Sequence, residues 1–213
     1  MKNKKIRQNP VQNIYWDVDD VVLNTSETLV KIINEKYLIP NGIDAKTIYD
    51  IRDWNLKSIY KYLTPEQLNE IFASNEFWDN VSIKMGFIQI IKSGVLSNYF
   101  NYFLTIGTEE NLSRKEQFLK DQLGDDYEQF FFIGIPDGKN KSEWDMYDSI
   151  QIDDNFENLV DTNAKIKILL KNGLDTCYNN GFNYYIDHPD NLYYVHSLKD
   201  VYEILEFNTK NKL

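Results

Sequence analysis

The chain has 213 residues, 42% hydrophobic and 15% aromatic, enough for one substantial core with a small inserted module and too apolar for a disordered tail. Its formal net charge of −10 argues against extended binding along a nucleic-acid backbone, while a small phosphorylated ligand stays open because one local cation reverses the field at a site. The single cysteine, Cys177, rules out an internal disulfide and fits a reducing, cytoplasmic setting.

The N-terminal MKNKKIRQNP is basic but leads into no apolar run of signal-peptide type, and FFFIGI at 130–135 is too short to cross a bilayer, so no membrane association is expected. The first predicted strand is 13–18, NIYWDV, and it ends in three acids within four positions: Asp17, Asp19 and Asp20. Residues 24–96 then contain helical patterns and no strand. SETLVKIINEKYL (26–38) repeats its apolar positions at helical spacing. TPEQLNEIFAS (64–74) opens with Thr64 as cap, Pro65 at the first helical position and Gln67 completing a capping box. VSIKMGFIQIIKSG (81–94) ends in Gly94, a helix stop.

Strands and helices alternate from there. Predicted strands lie at 101–106, 130–135, 149–153 and 165–170, with YYVHS (193–197) as a sixth candidate. Helical patterns occupy 109–122, about 156–163, and 198–207, the last capped by Ser197. Near-continuous apolar strands separated by helices predict an α/β protein with a doubly wound parallel sheet covered on both faces. The expected domains are a core, 1–23 and 97–213, and a helical cap, 24–96, inserted after the first core strand.

Crowded acids repel one another and resist burial, so the cluster at the first strand needs a cation, a proton or full exposure. Residues i and i+2 of a strand share a side, which makes Asp17 and Asp19 converge. A second acidic pair, Asp153 and Asp154, ends the fourth strand in IQIDDN. Ligands of open parallel sheets bind beyond the carboxyl ends of the strands, where these acids sit, and an oxygen-rich pocket there suits Mg²⁺. A lone D-x-D is also ordinary turn chemistry. A calcium loop starting at Asp17 fails at Val22 and Thr28, and GIPDGKN (134–140) lacks the spacing of a phosphate-cradling loop. No nucleophile elbow is present, and His188 and His196 lack metal-helix spacing. Thr105, at the tip of the second core strand, and Lys141, past the third, offer a hydroxyl and an ammonium at neighbouring strand ends. Taken singly, they are a strand threonine and a loop lysine.

The order DVDDV, apolar run plus Thr105, isolated Lys141, then apolar run plus Asp153–Asp154 resembles the four motifs of the haloacid dehalogenase-like (HAD) hydrolase superfamily, over nearly the whole chain. Within it, NEFWDNVSIKMGF (75–87) and HSLKDVYEIL (196–205) resemble the 5′(3′)-deoxyribonucleotidases and the related phage and bacterial 5′-nucleotidases. The resemblance implies a Mg²⁺-dependent phosphomonoesterase acting on nucleoside monophosphates. Asp17 is then the nucleophile and Asp19 the acid/base. The metal is held by Asp17, the Asp19 carbonyl and the Asp153–Asp154 pair, with Asp154 favoured as the direct ligand. Thr105 and Lys141 bind phosphate, with Thr108 and Lys139 as fallbacks.

Phe77 and Trp78 either fill the cap's own core or close on the substrate base; the resemblance puts one of the two in the pocket. Three departures stand out. Asp20 replaces the usual Gly, Ile106–Gly107 follows Thr105 in place of a small residue and Pro, and Thr25 replaces a Phe expected against the base. The alternatives are a phosphatase of sugar phosphates or other small phosphoesters, and a catalytically silent binding protein of the same fold. A homodimer is left open.

Overall fold

The computed structural model describes residues 12–50, 63–171 and 191–211. The basic N-terminal arm, Trp54, Cys177 and His188 lie outside them. Six strands form one parallel sheet: β1 (Gln12–Trp16), β2 (Tyr99–Gly107), β3 (Phe130–Pro136), β4 (Ile150–Asp153), β5 (Ile166–Leu170) and β6 (Leu192–Val195), in the order β3-β2-β1-β4-β5-β6. Every neighbouring pair is parallel, with Trp16 beside Phe103 on one flank and Ile152 on the other. The sixth strand of the sequence pattern is real. The order makes β1 the switch point, because the chain leaves it toward β2 and β3 and later returns on its other side as β4. A crevice therefore opens at the carboxyl end of β1.

Seven α-helices are described: α1 (Thr25–Ile33), α2 (Pro65–Ala73), α3 (Asn75–Asn80), α4 (Met85–Lys92), α5 (Glu109–Leu123), α6 (Phe156–Val160) and α7 (Leu198–Asn211). The main core fills one face of the sheet. There Trp16 meets Phe87 edge-on at 5.1 Å, and Phe103 stacks on Phe130 at 4.4 Å, with Leu119 of α5 and Val201 and Leu205 of α7 in the same cluster. On the other face α6 covers β4 and β5 through Leu159 and Leu169. Over β1–β3 that face instead carries a ladder of stacked rings, Tyr15 on Tyr102 at 4.9 Å and Tyr102 on Phe131 at 5.3 Å. Phe131 is 56% exposed, so this flank is less covered than the apolar runs predict.

The helices start where the caps dictate. Thr64 accepts from the Gln67 N–H while the Gln67 side chain accepts from the Thr64 N–H, the expected capping box. Ser197 and Asp200 make the equivalent pair at α7. Residues 81–84 are not helical. Ile83 bridges Leu23, Asn24 N–H donates to Ser82 O at 3.1 Å, and Lys84 N–H to Val22 O at 2.8 Å. The two strands of chain joining α1–α3 to the sheet thus run side by side. α4 lies beyond this crossing and packs on α7 and, through Phe87, on Trp16, so the last helix of 24–96 lies on the sheet.

Candidate active site

β1 ends at Trp16, but Asp17 stays in the sheet's plane because its N–H donates to Ile152 O at 2.9 Å. That bond fixes Asp17 beside the end of β4, where Asp153 and Asp154 follow. Asp17 is 5% exposed, and Asp153 and Asp154 are fully buried. One carboxylate oxygen from each of the three lies within 4.8 Å of the others. Lys141, also buried, donates to Asp17 Oδ1 at 2.5 Å and to Asp153 Oδ2 at 2.6 Å. The sequence separation between Lys141 and Asp17 shows what the sheet order accomplishes: it joins the end of β1 to the loop after β3.

Three buried carboxylates lie close together here, and one ammonium, that of Lys141, bridges two of them. Burial pushes the Asp17 carboxyl up from its ordinary 3.8 to about 7; Lys141 opposes the rise, and the charges of Asp153 and Asp19 reinforce it. Burial by itself would lower Lys141, but Asp153 and Asp17 overcome it and hold the ammonium above its ordinary value. All the donors facing this point are oxygens, the set a hard divalent cation takes, and their spacing is close to what a small ion needs. Asp153 already accepts from Lys141, from Asn155 N–H at 2.9 Å and from Asn158 Nδ2 at 3.1 Å.

Asp19 turns to a second cation that the sequence reading missed. Lys115 of α5, 2% exposed, donates to Asp19 Oδ2, to Thr105 Oγ1 at 3.0 Å and to Ile106 O at 3.2 Å. The other Asp19 oxygen accepts from Thr25 Oγ1 at 2.8 Å. Thr25, noted as a departure where an aromatic is expected, therefore orients Asp19. A signal for Lys115 was present: it lies three residues after Leu112 and four before Leu119, on the buried face of its helix. Thr105 is fully buried beside Lys115, whereas Thr108 caps α5 by accepting from Asn111 N–H at 3.2 Å. Lys139 is paired at the surface with Glu143 at 3.3 Å.

Asp20 adopts φ 54°, in the left-handed region, which accounts for glycine being usual there. An aspartate tolerates this conformation better than most residues, at a cost of about 1–2 kcal/mol. Its carboxylate accepts from the Ser26 N–H at 2.9 Å and from Ser26 Oγ, while Lys84 Nζ donates to its carbonyl. Burial raises the Asp20 carboxyl and lowers the Lys84 ammonium, each partly offset by the other. The extra acid is thus a strut of the turn, compensated by groups from both connecting segments. Gly107 has its own reason: a Cβ there would meet Asn111 Oδ1 at 2.6 Å.

A cavity of about 860 Å³ opens from Asp19 and Lys115 between α2 and the start of α5, lined also by Phe72, Ile106, Thr108 and Asp137. Phe77 and Trp78 do not line it. Phe77 is 1% exposed and packs edge-on against Phe72 and Trp78, both at 5.1 Å. Trp78 directs its indole N–H to Phe72 O at 2.8 Å and its ring toward Phe118. The pair forms the joint between α3 and its neighbours, and Phe72 is the ring that faces the cavity.

No protein-family model matches the chain, and no curated protein matches its sequence. Solved structures do match. A protein described as a predicted phosphatase from Clostridium acetobutylicum superposes with a TM-score of 0.62 at 16% identity, over 92% of this chain and 99% of that one. A HAD family hydrolase from Deinococcus radiodurans, solved with bound phosphate and sodium, gives 0.61 at 11% identity, over 94% and 97%. Protein tyrosine kinase A of Mycobacterium tuberculosis gives 0.63 at 11% identity, over 92% and 98%. The chain has the Rossmann-like α/β fold of HAD hydrolases. At these identities the likeness concerns the fold, and the names attached to it are diverse.

Proposed function

We propose that the protein is a Mg²⁺-dependent phosphomonoesterase, with Asp17 as nucleophile. The observation that carries this reading is the buried cluster of Asp17, Asp153 and Asp154 at the switch point of the sheet, with Lys141 bridging Asp17 and Asp153. Carboxylates buried this close together repel one another, and an all-oxygen cluster of this kind suits a divalent cation. In the proposed reaction a carboxylate oxygen of Asp17 attacks phosphorus, forming an aspartyl-phosphate as the bond to the leaving oxygen breaks. Asp19 gives that oxygen a proton, then takes one from the water that hydrolyses the acyl phosphate. Lys141 and Thr105 hold the phosphoryl oxygens in the same corner. Asp17, Asp154 and the Asp19 carbonyl would hold the metal, and Asp153, already bonded to Lys141, Asn155 and Asn158, would orient that set. When bound, Mg²⁺ reduces the repulsion between the nucleophile and the phosphoryl oxygens.

The finer reading, a nucleoside monophosphate substrate, rests on the cap segment's likeness to nucleotidases. A sugar phosphate is supported equally, because Phe77 and Trp78 are turned into packing and only Phe72 of these rings borders the cavity. Phosphate release from ribo- and deoxyribonucleoside monophosphates and from sugar phosphates, with Mg²⁺ and with EDTA, separates the two. Phosphate release at wild-type rates by a folded Asp17→Asn variant would rule out the nucleophile. Silence on every phosphoester leaves the fold as a binding protein.

A further inference from the structure

The cavity beside the candidate site is charged in a way that its chemistry does not require. Glu66 and Glu70 stand on α2, Glu109 and Glu110 on the first turn of α5, and Asp137 just after β3, all bordering the same space. Lys115 is the only cation lining it among the described residues, and it lies buried at the Asp19–Thr105 corner. On α2 the lining residues Glu66, Asn69, Glu70 and Ala73 follow helical spacing, so one continuous stripe of that helix faces inward. Neither Glu66 nor Glu70 has an ion-pair partner among the described residues, and the Glu110–Arg114 contact is a loose 3.6 Å at the surface.

We propose that this wall selects the leaving group: the substrate is a phosphoester whose remaining part is uncharged or cationic, and a second anionic group is rejected. The inference rests on the phosphomonoesterase reading above. One phosphoryl group finds Lys115 at the Asp19 corner of the cavity, with Thr105 bonded to that ammonium. A carboxylate or second phosphate further out meets acids and, among the described residues, no cation, and like charges brought together across a recognition surface oppose binding. Hydroxyls and ammonium groups, in contrast, find acceptors in the same carboxylates. A cavity of this size takes a nucleoside or a sugar, both uncharged. It discriminates against small dianionic-plus-carboxylate substrates on charge, not on volume.

The test compares kcat/KM, with Mg²⁺ and at low ionic strength, for three phosphoesters of similar size: glycerol phosphate, ethanolamine phosphate and phosphoglycolate. p-Nitrophenyl phosphate, whose part beyond the phosphate carries no charge, serves as a general probe. Phosphoglycolate should be on the order of tenfold or more worse than the other two, and the gap should shrink as salt screens the wall. A double Glu66→Gln, Glu70→Gln variant should narrow the gap by improving phosphoglycolate; Glu109→Gln is the second variant should the first not fold. Equal or better turnover of phosphoglycolate by the wild type overturns the inference while leaving the phosphatase reading intact. No release from any compound, the general probe included, overturns both.

Discussion

Lys141 is the residue whose removal the structure makes most consequential. Its ammonium is 1% exposed at the side chain and lies between Asp17 and Asp153, themselves 6% and 0% exposed. Replacing it with methionine keeps the volume but leaves two buried carboxylates without their shared cation. Breaking a buried ion pair from one side costs about 3–5 kcal/mol, because the remaining charge stays desolvated. For a chain of this length that corresponds to a fall in Tm of roughly 6–20 °C.

The sign of the pH dependence follows from the acids left behind. Without the ammonium, the folded-state pKa of Asp17 rises further, while its unfolded value stays near 4. A raised folded pKa means the stability is fully present below the unfolded value and is lost as pH rises through the folded one. The deficit of Lys141→Met relative to wild type should therefore be small at pH 4 and grow toward pH 8. Urea denaturation of metal-free protein at several pH values measures it. A loss below about 1 kcal/mol at pH 8, or an equal loss at pH 4 and pH 8, refutes the burial-and-pairing account.

The remaining predictions concern the same corner and one helix. In metal-free wild type, Asp17 has its carboxyl raised to about 7, so stability should decline as pH rises from near 4 toward 7, and added Mg²⁺ should recover it above pH 7; a pH-independent Tm contradicts this. Lys115→Met should lower kcat/KM by about 10²–10³ with the fold retained, since it frees Asp19 and removes a donor beside Thr105; steady-state kinetics with wild-type values would place Lys115 outside the reaction. Thr64→Ala should cost about 1 kcal/mol of stability by denaturant titration, because it removes one half of a capping box at a solvent-exposed helix start.

What the sequence reveals of this site depends on whether a residue's direction is set locally. Asp17, Thr105, Asp153 and Asp154 stand at strand ends, and in a parallel sheet all those ends point one way. Their convergence follows once the strands are identified. Lys115 belongs to a helix whose rotation is fixed by packing against β2 and β3, so its meeting with Asp19 needs the tertiary phase. The same holds for Phe77 and Trp78. Neighbours on a helix point about 100° apart, and which of them faces the substrate is decided by how α3 leans on Phe72 and Phe118. The start of α4 was also hidden, since an amphipathic pattern over 81–94 does not show that the chain runs beside Leu23 before the helix begins.

The charges of the site explain why its parts are interdependent. Asp17 and Asp153 face Lys141, Asp19 faces Lys115, and Lys84 sits in the field of Asp20, Asp154 and Asp17. This crowding of acids suits a divalent cation. With that cation present the negative field at the corner is weaker, and a phosphoryl dianion entering it meets the ammoniums against less repulsion. With the cation absent, the same dianion faces the crowded carboxylates at short range and low dielectric. Metal and phosphate should therefore each raise the other's affinity, as linkage requires of two ligands that share one electrostatic field. The outer acids on α2 and α5 do not enter this balance: they border the cavity, so in the proposed reading their effect falls on the part of the substrate beyond the phosphoryl group.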